Sequence, residues 1–494
     1  MNVNDIKRKM ARDTLLYLPA KIIEGAVGMI TISLYTSFFK PEVYGDYTLI
    51  TTGMNIANIL MMGWLIQSVF RFVNSFNSPK KLKVFYATAF TPWLFINAFV
   101  LAIGAVSSII AAGISGSKTV ELIAFTSLMF FTYSTTQILF SMLAAVRRIK
   151  LNLVLSIFSV SAKLGITTLF VSFNLFGRDV VTAILSNVLV DLFVITVISS
   201  RLKLLSFLTF KMFSKKIFYK FLKYSLPLIG VNITMGILNV SDRFVIKPIL
   251  GSAEVGIYSA NYQIASAVFS MIQLAIMRGV YPMIIKTWKQ NERSHTEDLM
   301  GQAVRYYLLV SLPAVVGLSI LSGPVARILS PKYYEGRYII ILVSVGLFFW
   351  GLTDYSNKAW ELTSNTKPVL RNSLMCAIFN ISFNIAFVPV FGYFAAGVST
   401  ALCYMLYLAI SLKGSSKILK WKISAISCSR ITASSLLMGL VLYFCTRYVS
   451  HSLISLIWMI PSGALVYAVC LALSRELGAE IQQIKHLLKF KSAA

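Results

Sequence analysis

The chain has 494 residues, 57% of them hydrophobic and only 13% charged, with a mean hydropathy of +0.75, which excludes a water-soluble globular domain and makes a lipid bilayer its solvent. Its net charge of +28 would suggest nucleic acid in a soluble protein. Here the basic residues lie between apolar runs rather than on one polar face, so no nucleic-acid partner is expected.

The first apolar run, roughly residues 14–38, follows Lys7, Arg8, Lys9 and Arg12. At about 25 residues it exceeds a signal-peptide core and reads as a retained first helix. Further runs, broken by charge, Gly or Pro, lie at roughly 47–73, 84–112, 120–146, 151–175, 180–200, 224–250, 256–282, 304–329, 338–362, 370–390, 394–412, 428–449 and 453–473. The expectation is an all-α integral membrane protein of about 14 transmembrane helices. With the N-terminus inside, internal segments hold about 30 Lys and Arg and external loops about 7, so the positive-inside rule predicts a multi-pass protein with both termini cytoplasmic. The segment 201–223 carries Arg201, Lys203, Lys211, Lys215, Lys216, Lys220 and Lys223 without an acid, and is expected to lie along anionic headgroups. Cys376, Cys403, Cys428, Cys445 and Cys470 form no close pair, and neither a disulfide nor a metal site is indicated.

An internal repeat is legible. Tyr17 and Pro19 open span 1 as Tyr224 and Pro227 open span 7, about 208 residues apart. Gly45-Asp46-Tyr47 is matched by Gly256-Ile257-Tyr258 at an offset of about 211, and Phe176-Gly177 by Phe391-Gly392 at about 215. Both Gly-x-Tyr elements are read as turns. The expected layout is a six-helix bundle over 1–200, a basic cytoplasmic linker over 201–223, a second six-helix bundle over 224–413, and two extra helices with a basic tail over 414–494. Because six is even, both copies enter from one face, and their symmetry axis would run along the membrane normal.

Residues Tyr224 to Tyr262, with Pro227, Asp242-Arg243, Gly251, Glu254-Val255-Gly256 and Tyr258, resemble the polysaccharide-transport branch of the multidrug/oligosaccharidyl-lipid/polysaccharide exporter superfamily. Pro41-Glu42 through Gly45-Asp46-Tyr47, on to Arg71, looks like the same family's opening. The likeness covers roughly residues 12 to 410. It implies two bundles forming a V, a cationic lumen, and alternating access for a polyprenyl-diphosphate-linked oligosaccharide in a bacterial inner membrane. It also implies polysaccharide polymerase and glycosyltransferase partners.

Ionisable groups inside spans cost about 2.5 to 3.5 kcal/mol each on insertion scales, so each needs a partner, water or a function. Arg71, Lys163, Arg243, Lys358, Arg278 and Lys21 are the candidates for the substrate's diphosphate, an anion that takes charge-assisted hydrogen bonds. Lys163 shares a helical stripe with Ser156, Ser159 and Thr167 that would suit a wet wall, and Lys358 shares one with Asp354, Asn357 and Glu361. Asn232, Asn239, Asn380 and Asn384 are the candidates for glycan contacts. No GxxxxGK[ST] sequence occurs, His295, His451 and His486 lie outside the spans, and no cofactor is expected. A proton carrier would therefore be a carboxylate: Glu24, Asp191, Asp242 or Asp354.

Plainer readings stand beside these. Lys21, Arg71, Arg278, Arg305 and Arg430 lie within reach of the cytoplasmic face and could snorkel. Lys21 with Glu24, and Asp354 with Lys358, could neutralise each other along a helix, Asp242-Arg243 could tie two helices, and Asn or Ser stripes also glue membrane helices. Two other functions compete. A multidrug or organic-cation antiporter should have an acidic or aromatic cavity, whereas intramembrane bases outnumber acids here. A membrane glycosyltransferase or polymerase usually needs a sizeable external loop, whereas every external loop is under about ten residues.

Overall fold

The computed structural model describes residues 23–76, 78–114, 116–207, 212–448 and 453–478. All regular structure among them is helical. After α1 (Ile23–Phe38) come α2 (Pro41–Phe72), α3 (Pro79–Ile114), α4 (Ser117–Ala145), α5 (Ile149–Ser172), α6 (Val180–Arg201) and α7 (Lys215–Leu250). Then follow α8 (Ser252–Lys289), α9 (Arg293–Ile320), the short α10 (Ser322–Ala326), α11 (Arg337–Leu362), α12 (Lys367–Phe391), α13 (Tyr393–Ser415), α14 (Ala425–Tyr448) and α15 (Leu453–Leu473). Thirteen of these helices are long and apolar enough to cross a membrane, and α1 is a shorter apolar helix. The first part of the predicted span 14–38 lies outside the described residues. The protein is a multi-pass integral membrane protein of the predicted all-α class.

Several helices outrun their apolar cores. Helix α7 starts at Lys215, capped by the Ser214 hydroxyl, which accepts from the Ile217 amide. Part of the basic segment 201–223 is therefore helical. Helix α2 starts at Pro41, where a proline suits the first turn because that position needs no donor. Hydropathy marks only the stretch that lipid must solvate, whereas backbone hydrogen bonding continues past it. Gly251 and Gly392 close α7 and α12 with φ of 102° and 64°, a left-handed region that a Cβ disfavours.

The Gly-x-Tyr elements are corrected by the structure. Gly45 and Gly256 are not in turns but are each the fifth residue of a helix, α2 and α8, whose starts approach each other there. A Cβ on Gly45 would stand 1.9 Å from the Ser252 carbonyl oxygen, and one on Gly256 would stand 2.1 Å from the Pro41 carbonyl oxygen. The contact is reciprocal: each glycine meets the residue four places before the other. Only backbone without side chains fits at that spacing.

The chain divides into two compact units, Met1–Gly256 and Ile257–Ala494. In the first, α7 packs on α2, and the core gathers Met62, Leu65, Phe85, Leu139, Val194 and Phe221. In the second, the core gathers Met300, Tyr307, Tyr355, Leu408, Ile431 and Leu471, so the two C-terminal helices pack into it against α9. Arg305 of α9 does not simply snorkel. Its guanidinium donates to Glu476 Oε1 at 2.7 Å and to the Glu476 carbonyl at 2.7 Å, just past α15. All five cysteines are free.

Candidate functional site

In the first unit, Lys163 on α5 reaches Asp191 on α6 at 2.7 Å. The Asp191 side chain is 1% exposed and that of Lys163 is 24% exposed, so the acid is sealed while the base keeps a path to water. Neither Asp191 oxygen accepts a further hydrogen bond among the described residues, and Lys163 is the cation that faces it. Burying such a pair is tolerable only while both members are present.

The α5 stripe does not form the open wall expected of it. Ser156 donates to Glu24 Oε1 at 2.6 Å, Thr167 bonds the Tyr35 hydroxyl at 2.9 Å, and Ser159 is buried. Ser156 and Thr167 thus form a hydrogen-bonded seam to α1, and Lys163 is the quarter-exposed base between them. Around the seam, Asn187 donates to the Tyr47 hydroxyl at 3.2 Å, and the Tyr47 and Tyr35 rings meet edge-on at 5.5 Å. Tyr35 and Asn187 escaped the sequence reading, which noticed Tyr47 only as part of the Gly-x-Tyr repeat. Uncharged residues in apolar runs give no signal by themselves, although Asn187 precedes Asp191 by one helical turn.

In the second unit, the i, i+4 pairing of Asp354 and Lys358 forms at 3.3 Å, and Lys358 also contacts Glu361 at 2.9 Å. Helix α8 completes this cluster. Gln273 donates to Asp354 at 3.0 Å, Tyr281 donates to Glu361 at 2.8 Å, and the Lys358 ammonium lies 4.8 Å from the centre of the Tyr281 ring. Gln273 and Tyr281 were missed, though their spacing of eight residues puts them on one helix face. Asn357 leaves the stripe and turns to α13, where it donates to the Tyr407 hydroxyl at 3.3 Å and accepts from Ser411 at 2.9 Å.

The remaining candidates divide. Asp242 and Arg243 are both buried in α7, and Arg243 donates to the Asn239 carbonyl at 3.0 Å. Asn232 is exposed on the same helix. Arg71 is exposed in the last turn of α2, and Arg278 is half-buried in α8. Asn380 and Asn384 are buried on α12: Asn380 donates to Ser399 at 3.0 Å and Asn384 to Asn380 at 3.3 Å, which ties α12 to α13. Lys21 lies outside the described residues.

The solved lipid II flippase MurJ in an inward closed conformation has a similar fold, with a TM-score of 0.75 at 18% identity over 93% of this chain and 99% of that one. An inward-facing multidrug resistance MATE family transporter follows with a TM-score of 0.60 at 13% identity over 82% and 94%. Among sequences, the chain is 22% identical over 228 residues to the probable low-salt glycan biosynthesis flippase Agl15 of Haloferax volcanii, covering 46% of this chain and 48% of that protein. It is 21% identical over 252 residues to the probable flippase AglR of the same organism, covering 49% and 52%. The chain thus spans about half the length of the curated relatives it matches. Residues 10–288 match the family described as polysaccharide biosynthesis protein, more than half of the chain. The chain belongs to that family.

Proposed function

We propose that the protein flips a polyprenyl-diphosphate-linked oligosaccharide across a bacterial cytoplasmic membrane by alternating access driven by an ion gradient, with both termini cytoplasmic. The observation that carries this reading is the pair of lysine–carboxylate clusters inside the spans. Lys163 is clasped by Asp191 in one unit, and Lys358 by Asp354 and Glu361 in the other. Each lysine contacts carboxylates and keeps some exposure. A diphosphate can compete for Lys163, because a doubly anionic ligand offers more negative charge than the single acid it displaces. The displaced acid must then take up a proton or another cation, since a bare carboxylate is costly in a low dielectric. Substrate binding and ion binding become linked through one pair. Family membership and the flippase names of the sequence relatives support the same reading.

Within this scheme Arg243, Arg71 and Arg278 supply further positive charge, Asp242 and Glu24 are further candidates for coupling, and Asn232 and Asn239 meet the glycan. The contacts that Asn380 and Asn384 make between α12 and α13 favour a helix-tying role for them. The test is flux of radiolabelled lipid-linked sugar in a deletion strain complemented with variants, normalised to inserted protein. Lys163→Ala, Arg243→Ala and Lys358→Ala should each lower flux per molecule, and the Glu replacements should lower it further because like charges repel. Normal flux in every variant would remove the diphosphate-binding role.

A further inference from the structure

At the end of the first unit formed by the α1–α2, α3–α4 and α5–α6 connections lies a cleft of about 680 Å³. Asp46, Lys118, Glu121 and Asp179 line it, with Phe125 and Phe176 beside them. This local charge runs against a chain whose net charge is +28. Even counting Lys247, which pairs with Asp46 at 2.6 Å, three carboxylates face two ammonium groups. Lys118 sits 3.5 Å from Asp179, a loose contact on an exposed side chain.

Below the cleft runs a groove of about 420 Å³ whose lining is almost entirely apolar or small. The two share Leu122, and the groove continues along Ile50 and Met61 of α2, Val100 and Ile103 of α3, and Thr126 of α4. It exists because α3 packs hard on α4, where a Cβ on Gly104 would stand 2.0 Å from the Ser127 hydroxyl, and so leaves a gap beside α2. From Ile50 to Met61 is eleven residues, about 16 Å of helix. That matches the hydrocarbon half-thickness of one leaflet, about 15 Å.

A polar cleft at the helix ends, adjoining an apolar groove at Leu122, has the shape of a single amphiphile. We propose that it holds one phospholipid with a primary-amine headgroup, phosphatidylethanolamine in chemical terms. The ammonium would donate to Glu121 and Asp179, with the Phe125 and Phe176 rings beside its methylenes. Lys118 would leave Asp179 for the phosphate, and one acyl chain would lie in the groove. A choline head lacks the N–H donors, and an anionic head meets an excess of carboxylates.

The probe is native mass spectrometry of the full-length protein with phosphatidylethanolamine, phosphatidylcholine and phosphatidylglycerol of identical acyl chains. One equivalent of phosphatidylethanolamine should be retained over phosphatidylglycerol by about fivefold, the equivalent of one exposed ion pair. Glu121→Lys with Asp179→Lys should reverse that order, and both side chains are exposed enough for the protein to keep its fold. Ile103→Trp, which fills the groove and leaves the head cleft intact, should weaken retention of all three lipids. Equal retention of the three by the wild-type protein, preference for the anionic lipid, or an unchanged order in the charge-reversed variant would each overturn the proposal. The readout is lipid retention, so it is independent of whether the protein flips glycans.

Discussion

Replacing Lys163 with Met removes the one cation that faces Asp191, a carboxylate 1% exposed and without a further hydrogen bond among the described residues. Breaking a buried pair from one side costs about 3 to 5 kcal/mol. Lys163 is about a quarter exposed, so water recovers part of that and the lower end, about 3 kcal/mol, applies. A loss of about 3 kcal/mol is more than a hundredfold in the folded ratio and is readable as lower abundance and earlier thermal unfolding. Lys163→Met combined with Asp191→Asn leaves no charge stranded and should recover most of that stability. Flux then separates the roles. If Lys163 touches the substrate, the double variant is abundant and inactive; if the pair only ties α5 to α6, it regains flux. Wild-type stability of the Lys163→Met protein would refute the burial argument, and wild-type flux in the double variant would refute the substrate contact.

Gly45→Ala and Gly256→Ala place a methyl against backbone at 1.9 and 2.1 Å and should each cost about 2 kcal/mol or more, whereas Gly53→Ala meets a ring atom at 3.6 Å and should be mild, all by thermal unfolding. Their effects should not add, because both act on one contact. Glu476→Gln weakens the charged contact with Arg305 and should cost about 2 kcal/mol, seen as faster protease cleavage of the α13–α14 connection. Reporter fusions after Lys223 should read cytoplasm and fusions near Lys332 the opposite side; an external signal at Lys223 would refute the topology.

The helices were legible because lipid demands long apolar runs, and each predicted span from residue 47 onward corresponds to a helix. Their ends were not, since Lys215 and Arg293 continue helices whose apolar signal starts later. Within one helix, the pairing of Asp354 with Lys358 follows from a spacing of four. Lys163 announces itself as a charge in an apolar run, but its partner sits on another helix, and no local spacing selects Asp191 over other buried acids. Asn380 and Asn384 show a different limit. A stripe of amides is written identically whether it faces a sugar or a neighbouring helix, and only the position of Ser399 tells them apart. The glycines at 45 and 256 were noticed for their repetition and misread as turns, because a turn and a close backbone approach demand the same missing side chain.

The contact between Arg305 and Glu476 spans 171 residues of sequence. At the pace of a ribosome, about 5 to 20 residues per second, Glu476 emerges roughly ten to thirty seconds after Arg305. Helix α9 therefore enters the bilayer well before this clasp can close, and α14 and α15 arrive carrying the acid that completes it. The order of synthesis makes the C-terminal hairpin the last act of assembly for the second unit. A chain cut short before residue 476 would leave a span whose arginine waits on a contact that never comes, which is a mark that membrane quality control can read.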